Sequence, residues 1–122
     1  MRIIVDAMGG DHAPEVVIQG AVQAAREYGA EIVLVGQEEK VSALLKKSKY
    51  KGNLISVYHA PDVIEMSESP ATSVRRKRNS SIVVGVNLVK EGEGDAFFSA
   101  GNTGAVVCAG TLGLGLLPGI ER

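Results

Sequence analysis

Residues 99–104, Ser-Ala-Gly-Asn-Thr-Gly, bring hydroxyl, amide and backbone N–H donors together in one short segment of this chain. An apolar run that predicts a helix follows them directly. Unpaired amides at a helix start and the positive end of the helix dipole attract phosphate, and Ser and Thr hydroxyls can complete the cage. The residue types support an anion site and a simple capped turn, with Thr103 as the N-cap, about equally.

Another loop, residues 6–14, follows the first apolar run of the chain and contains the pair Gly9 and Gly10. Paired glycines let the backbone approach a ligand, and Pro14 suits the first position of a helix whose amides could face an anion. The loop matches neither the Gly-x-Gly-x-x-Gly fingerprint of dinucleotide-binding proteins nor a Walker loop. Plain turn chemistry is therefore the favoured interpretation of the glycines alone.

Three polar residues of the same loop carry side chains that could take part in chemistry. Asp6 and Asp11 could bind a cation or orient a hydrogen-bond donor, and Asp11 could instead cap the following helix. His12 could act as an acid or base near neutral pH, although an ordinary loop position is the simpler interpretation. The sequence predicts no metal site.

Four consecutive cations, Arg-Arg-Lys-Arg, occupy residues 75–78 of a chain whose net charge is -1. Such a run is usually a solvated face, but here Ser80 or Ser81 follows as the cap of a predicted helix. One or two of the cations could therefore turn toward a phosphate. Nucleic acid is a weak alternative, because the overall charge is not basic and no aromatic residues interleave with the cations.

The elements that must position these loops follow from the hydrophobic pattern. Short apolar runs predict strands at residues 3–5, 32–35, 54–58 and 96–98. Apolar residues at three-to-four spacing predict single helices between them, and residues 60–72, with two prolines, are predicted as loop. This order predicts an α/β fold with a mainly parallel sheet and helices on both faces. Ligands bind beyond the carboxyl ends of such strands, where both loops lie.

Composition bounds the class of protein. With 45% hydrophobic and 22% charged residues, the 122-residue chain is predicted to be one ordered domain. A single cysteine, Cys108, excludes a disulfide framework and a paired-cysteine zinc site, as expected in a reducing cytoplasm. The apolar stretch 104–117 is shorter than the roughly 20 residues that span a bilayer and predicts a buried helix. No export signal is visible, and the final turn, residues 117–122, indicates a cut within a longer protein.

Both loops and the basic run together resemble the PlsX family of bacterial phosphate acyltransferases. The similarity lies in the order and spacing of Asp6-Ala7-Met8-Gly9-Gly10-Asp11-His12-Ala13-Pro14, Arg75-Arg76-Lys77 with Asn79-Ser80-Ser81, and Ser99-Ala100-Gly101-Asn102-Thr103-Gly104-Ala105. It covers the whole chain, but the family's proteins are longer. The resemblance therefore implies that residues 1–122 are a single α/β unit, the N-terminal portion of a longer enzyme. It also implies a fold similar to phosphotransacetylases and to isocitrate and isopropylmalate dehydrogenases.

The activity implied by the resemblance is transfer of a fatty acyl group from acyl carrier protein to inorganic phosphate. The product, an acyl phosphate, would be consumed by a glycerol-3-phosphate acyltransferase in phospholipid synthesis. The resemblance further implies a cytoplasmic homodimer that associates peripherally with the membrane and uses no cofactor. Two alternatives stay open: an anion-binding or dimerisation module without activity of its own, and a dehydrogenase-like protein. The missing dinucleotide fingerprint disfavours the second.

Site residues follow from the same resemblance. The expected catalytic residues are Asn102, Thr103 and Lys77, the last supplying positive charge. The expected phosphate ligands are Ser99, Gly101, Asn102, Thr103 and Gly104. The expected lining of the cleft is Asp6, Gly9, Gly10, Asp11, His12 and Ser80.

Overall fold

The structure, a computed structural model, describes residues 1–115 and 118–119. Within these residues the elements follow one another along the chain as β1 (Arg2–Asp6), α1 (Glu15–Tyr28), β2 (Glu31–Gly36), α2 (Glu38–Lys47), β3 (Ile55–His59), α3 (Pro70–Arg76), α4 (Ser81–Lys90), β4 (Ala96–Phe98) and α5 (Thr103–Gly113). No described helix combines the length and the apolar character that crossing a bilayer requires.

The strands form one parallel sheet in the order β3-β2-β1-β4. β1 lies between β2 and β4, and its residue Val5 is in register with Leu34 on one side and Phe98 on the other. Because parallel strands end at the same edge, Asp6 at the end of β1 is brought beside Ser99, which follows β4. The two polar loops therefore leave the sheet side by side.

Alternating residues of the central strand pack on opposite faces of the sheet. Val5 packs with Ile18 of α1 in one core cluster, whereas Ile4 packs with Leu88 of α4 in another. Both β1 residues are buried, as expected for a parallel strand that is covered on both sides. The predicted α/β fold, with a parallel sheet and helices on both faces, is confirmed.

Local signals explain where two of the helices begin and end. α1 ends at Gly29, whose φ of 65° is the left-handed conformation that glycine adopts at a helix C-terminus. α4 begins after Ser80, whose hydroxyl oxygen accepts a hydrogen bond from Val83 N at 3.2 Å. The predicted cap was Ser80 or Ser81, and in the structure it is Ser80.

Three local predictions are wrong. Residues 70–72, predicted as loop, begin the short helix α3, where Pro70 occupies the first turn and Val74 packs into the core. Pro14 is the N-cap of α1 and not its first helical residue. α5 is buried on one face only, because Leu112 is 63% exposed. The predicted final turn and the end of the apolar stretch include residues 116–117 and 120–122, which lie outside the described residues.

Replacing the fully buried Leu34 with alanine should lower the free energy of unfolding by about 2–5 kcal/mol, because it leaves a cavity between β2 and its covering helices. The matched control is Leu112→Ala on the exposed face of α5, which should change this free energy by less than about 0.5 kcal/mol. Urea denaturation of both variants measures the difference. Equal effects would contradict the placement of Leu34 in the core.

Candidate anion site

Asp6 joins the loops that follow β1 and β4, which we call the first loop (residues 7–14) and the second loop (residues 99–102). One carboxylate oxygen, Oδ1, accepts a hydrogen bond from Met8 N at 2.9 Å, and Oδ2 accepts one from Ser99 Oγ at 2.8 Å. The Ser99 hydroxyl oxygen in turn accepts a hydrogen bond from Gly101 N at 3.0 Å. Asp6 is only 1% exposed, so its side chain orients donors within the protein.

The backbones of the two loops lie against each other at Gly9 and Gly101. A Cβ atom on Gly9 would stand 2.8 Å from Gly101 N, and one on Gly101 would stand 3.1 Å from Gly9 Cα. Gly10, with φ of 109°, has a backbone conformation that side chains rarely allow and faces Ala100. The paired glycines thus permit close contact between the loops, a requirement that the turn signal alone did not reveal.

The second loop leads into the N-terminus of α5, where Asn102 is the capping residue. Its Oδ1 accepts a hydrogen bond from Ala105 N at 3.1 Å, and its carbonyl oxygen accepts one from Val106 N at 3.0 Å. The interpretation of Thr103 as the cap is wrong, because Thr103 is the first helical residue and is exposed. Among the described residues, the N–H groups of Thr103 and Gly104 have no hydrogen-bond acceptor. These two donors are available to an anion.

The side-chain amide of Asn102 also binds a turn that the sequence did not single out, residues 65–68, here called the acidic turn. Nδ2 donates to Glu65 O at 3.1 Å and to Glu68 O at 3.0 Å. Asn102 is 6% exposed and uses both ends of its amide within the protein. Its side chain therefore shapes the helix start, and the free donors belong to the two residues that follow it.

Lys77 binds the acidic turn from its other side. Its Nζ donates to Glu68 Oε2 and to Val63 O, each at 2.8 Å. Glu68 Oε2 also accepts a hydrogen bond from Glu65 N at 2.7 Å, and Oε1 accepts one from Ser73 Oγ at 3.2 Å. The Glu65 amide, followed by the Lys77 ammonium, lowers the pKa of Glu68. The three arginines of the basic run are exposed, in keeping with a solvated face.

The remaining predicted residues divide into two groups. Asp11 and His12 lie exposed on the first loop. Ser80 is fully buried and serves as the cap of α4, so it is not part of an open cleft surface. The structure therefore brings together the following members of the predicted set: Asp6, Gly9, Gly10, Ser99, Gly101, Asn102, Thr103 and Gly104. The sequence analysis missed Glu65 and Glu68. Their partner Asn102 is 37 and 34 positions away, and the separation of 9 positions between Glu68 and Lys77 matches no recognised pattern.

Comparison with known proteins gives consistent matches. The family described as fatty acid synthesis protein matches residues 1–122. A phosphate acyltransferase of Pelotomaculum thermopropionicum is 52% identical over 122 residues, which are 100% of this chain and 35% of the relative. A phosphate acyltransferase of Myxococcus xanthus is 52% identical over 123 residues, with 100% and 35% covered. The chain thus spans about a third of the length of these curated relatives.

A solved structure has a fold similar to the α/β fold of this chain. A phosphotransacetylase from Streptococcus pyogenes superposes with a TM-score of 0.70 at 24% sequence identity, covering 100% of this chain and 40% of that protein. The likeness at this level of identity concerns the fold alone. The similarity in fold to phosphotransacetylases that the resemblance implied is confirmed.

Gly9→Ala should lower the free energy of unfolding by about 1–3 kcal/mol, because the added methyl group forces apart two loops held by backbone and a buried carboxylate. Gly20→Ala in α1 is the matched control, since nothing lies within 4 Å of its added Cβ. The control should raise the free energy of unfolding by about 0.5–1 kcal/mol. Urea denaturation distinguishes the two, and equal stability of the variants would show that the loops are not in contact.

The stability contributed by Glu68 should depend on pH. Its pKa is lowered in the folded protein, so its contribution is present above the ordinary glutamate pKa of about 4.3 and is lost as pH falls through the lowered value. The difference in unfolding free energy between the unmodified protein and Glu68→Gln should therefore shrink below about pH 4.3. Glu65→Gln, in the same turn, is the control. Parallel pH profiles for all three proteins would contradict the assignment.

Proposed function

The chain belongs to the fatty acid synthesis protein family, and on this premise we propose that its full-length protein transfers an acyl group to inorganic phosphate. The relatives named phosphate acyltransferase support the reaction class. We propose the thioester of acyl carrier protein as the acyl donor. The acyl phosphate would then serve phospholipid synthesis through a glycerol-3-phosphate acyltransferase.

One observation of this structure carries the phosphate half of the proposal. Within the part of the chain that the structure describes, the N–H groups of Thr103 and Gly104 at the start of α5 have no acceptor, and they directly follow the loop that contacts Gly9. Backbone amides at a helix N-terminus bind phosphate through their hydrogens and through the helix dipole. The exposed hydroxyl of Thr103 adds a third donor at the same place. In this proposal, these groups hold the phosphate.

The reaction needs few protein groups beyond positioning and charge stabilisation. A phosphate oxygen attacks the thioester carbonyl carbon, a tetrahedral oxyanion forms, the C–S bond breaks and the thiolate leaves. Amides that hold the phosphate fix the nucleophile in place, which lowers the entropic part of the barrier. Donors directed at the oxyanion would lower the barrier further. No covalent intermediate with the enzyme is required.

We propose that this chain is the N-terminal portion of the enzyme and supplies the phosphate side of the site. Its coverage of about a third of the relatives' length supports the first statement, and the Thr103 and Gly104 amides support the second. The homodimer, the cytoplasmic location and the peripheral association with the membrane are proposals that rest on the family resemblance. The alternative, an anion-binding or dimerisation module of a larger enzyme without activity of its own, predicts that the full-length protein turns over through groups that lie elsewhere in it.

The direct test incubates the full-length protein with a fatty acyl thioester of acyl carrier protein, with and without phosphate. The expected result is loss of thioester that depends on phosphate, with acyl phosphate trapped as its hydroxamate. Thioester loss that is independent of phosphate would overturn the proposed reaction. Phosphate titration of the chain, followed through the amide signals of Thr103 and Gly104, tests the binding alternative separately.

Thr103→Val should raise the KM for phosphate about ten- to hundredfold, because a hydrogen bond to a charged group contributes about 1.5–3 kcal/mol. Thr103→Ser is the matched control, since it keeps the hydroxyl, and should stay within about threefold of the unmodified enzyme. The KM for the thioester should not change in either variant. Steady-state kinetics measures all of these values, and an unchanged KM for phosphate in Thr103→Val would remove the hydroxyl from the site.

A further inference from the structure

The carboxylate of Glu68 is the centre of a small network that the proposed reaction does not use directly. It accepts hydrogen bonds from the Glu65 amide, the Ser73 hydroxyl and the Lys77 ammonium. These donors come from the acidic turn itself, from within α3 and from the C-cap residue that follows α3. The carboxylate therefore ties the acidic turn to α3, the helix that follows it directly in the chain.

The acidic turn is connected in the opposite direction to the start of α5. The carbonyl oxygens of Glu65 and Glu68 accept both hydrogens of the Asn102 amide, at 3.1 and 3.0 Å. This pair of contacts fixes which way the amide points, because the oxygen is left to face Ala105 N. If the turn moves, Asn102 loses the contacts that hold its capping orientation.

The orientation of Asn102 matters for the donors beside it. A side-chain oxygen that occupies the Ala105 amide sets the first turn of α5 and leaves the Thr103 and Gly104 amides as the open pair. Without the cap, the first turn can fray and the two amides no longer share one direction. The chain of contacts thus runs from Glu68 through Asn102 to the anion donors.

Resting on the proposed function, we propose that Glu68 is a positioning residue for phosphate: it fixes the acidic turn, which holds Asn102 as the cap of α5. Lys77 has a matching part, because its ammonium pairs with the Glu68 carboxylate at 2.8 Å and so offsets its negative charge. This assigns Lys77 a structural role through Glu68, in place of the direct catalytic role, the supply of positive charge, that the resemblance implied.

The first test compares Glu68→Ala with Glu65→Ala in the full-length protein. Both variants remove one carboxylate from the same turn, but the Glu65 residue contributes only its backbone to the network. Glu68→Ala should raise the KM for phosphate about tenfold or more, with the KM for the thioester within about twofold. Glu65→Ala should leave both values within about twofold. Equal KM values for phosphate in the two variants would overturn the proposal.

A double variant shows whether Lys77 acts through Glu68 or contacts phosphate directly. If Lys77 acts through Glu68, the double variant Glu68→Ala/Lys77→Ala should raise the KM for phosphate no more than the stronger single variant does. Fold-changes that multiply would show that Lys77 contacts phosphate independently, against the proposal. Glu68→Gln keeps the volume of the side chain and replaces Glu68→Ala if circular dichroism shows that the alanine variant is unfolded.

A failure of the positioning role of Glu68 can be told apart from a failure of the proposed acyl transfer. If the unmodified protein shows no phosphate-dependent loss of thioester, the reaction is wrong, and the positioning role is still measured by phosphate binding. Phosphate titration followed through the Thr103 and Gly104 amide signals should give a Kd about tenfold higher for Glu68→Gln than for Glu65→Gln. The same Kd for both variants would overturn the positioning role by itself.

Discussion

The contact between Asp6 and Ser99 is the interaction on which the functional end of the molecule depends. A carboxylate that is 1% exposed requires hydrogen-bond donors, because burial of an unsatisfied charge costs several kcal/mol or more. Asp6 obtains one donor from its own loop and one from the loop after β4. Its burial therefore couples two segments that are 93 positions apart in the chain. The contact between Gly9 and Gly101 is the steric counterpart of this coupling.

Asn102 likewise joins two segments, the start of α5 and the acidic turn. An asparagine has an acceptor at one end of its amide and two donors at the other, so it can satisfy a helix start and a carbonyl pair at once. A serine or aspartate could cap α5 but could not donate to both Glu65 O and Glu68 O. The structure thus gives a physical reason for an amide at this position that is separate from any contact with a ligand.

The parts that sequence patterns predicted well are those governed by local physics. A few neighbouring residues were enough to predict the strands β1 and β2, the cap of α4 at Ser80 and the glycine that ends α1. The failures involve partners distant in sequence. α3 was missed because a seven-residue helix with Pro70 in its first turn has too few periodic positions, and burial of Val74 is what stabilises it. The ion pair of Lys77 with Glu68 was not predicted, because a separation of 9 positions matches no recognised pattern.

This division also applies to the site. Its donors are backbone N–H groups, so residue types could identify the segment but not the side chains that orient it. Orientation comes from the order of the strands: β1 and β4 are neighbours although four helices and two strands separate them in sequence. That adjacency brings the first loop against the second, and the long segment between them supplies the acidic turn that holds Asn102. The anion donors are therefore a product of the sheet topology, and a local motif becomes a site only when the sheet is complete from β1 to β4.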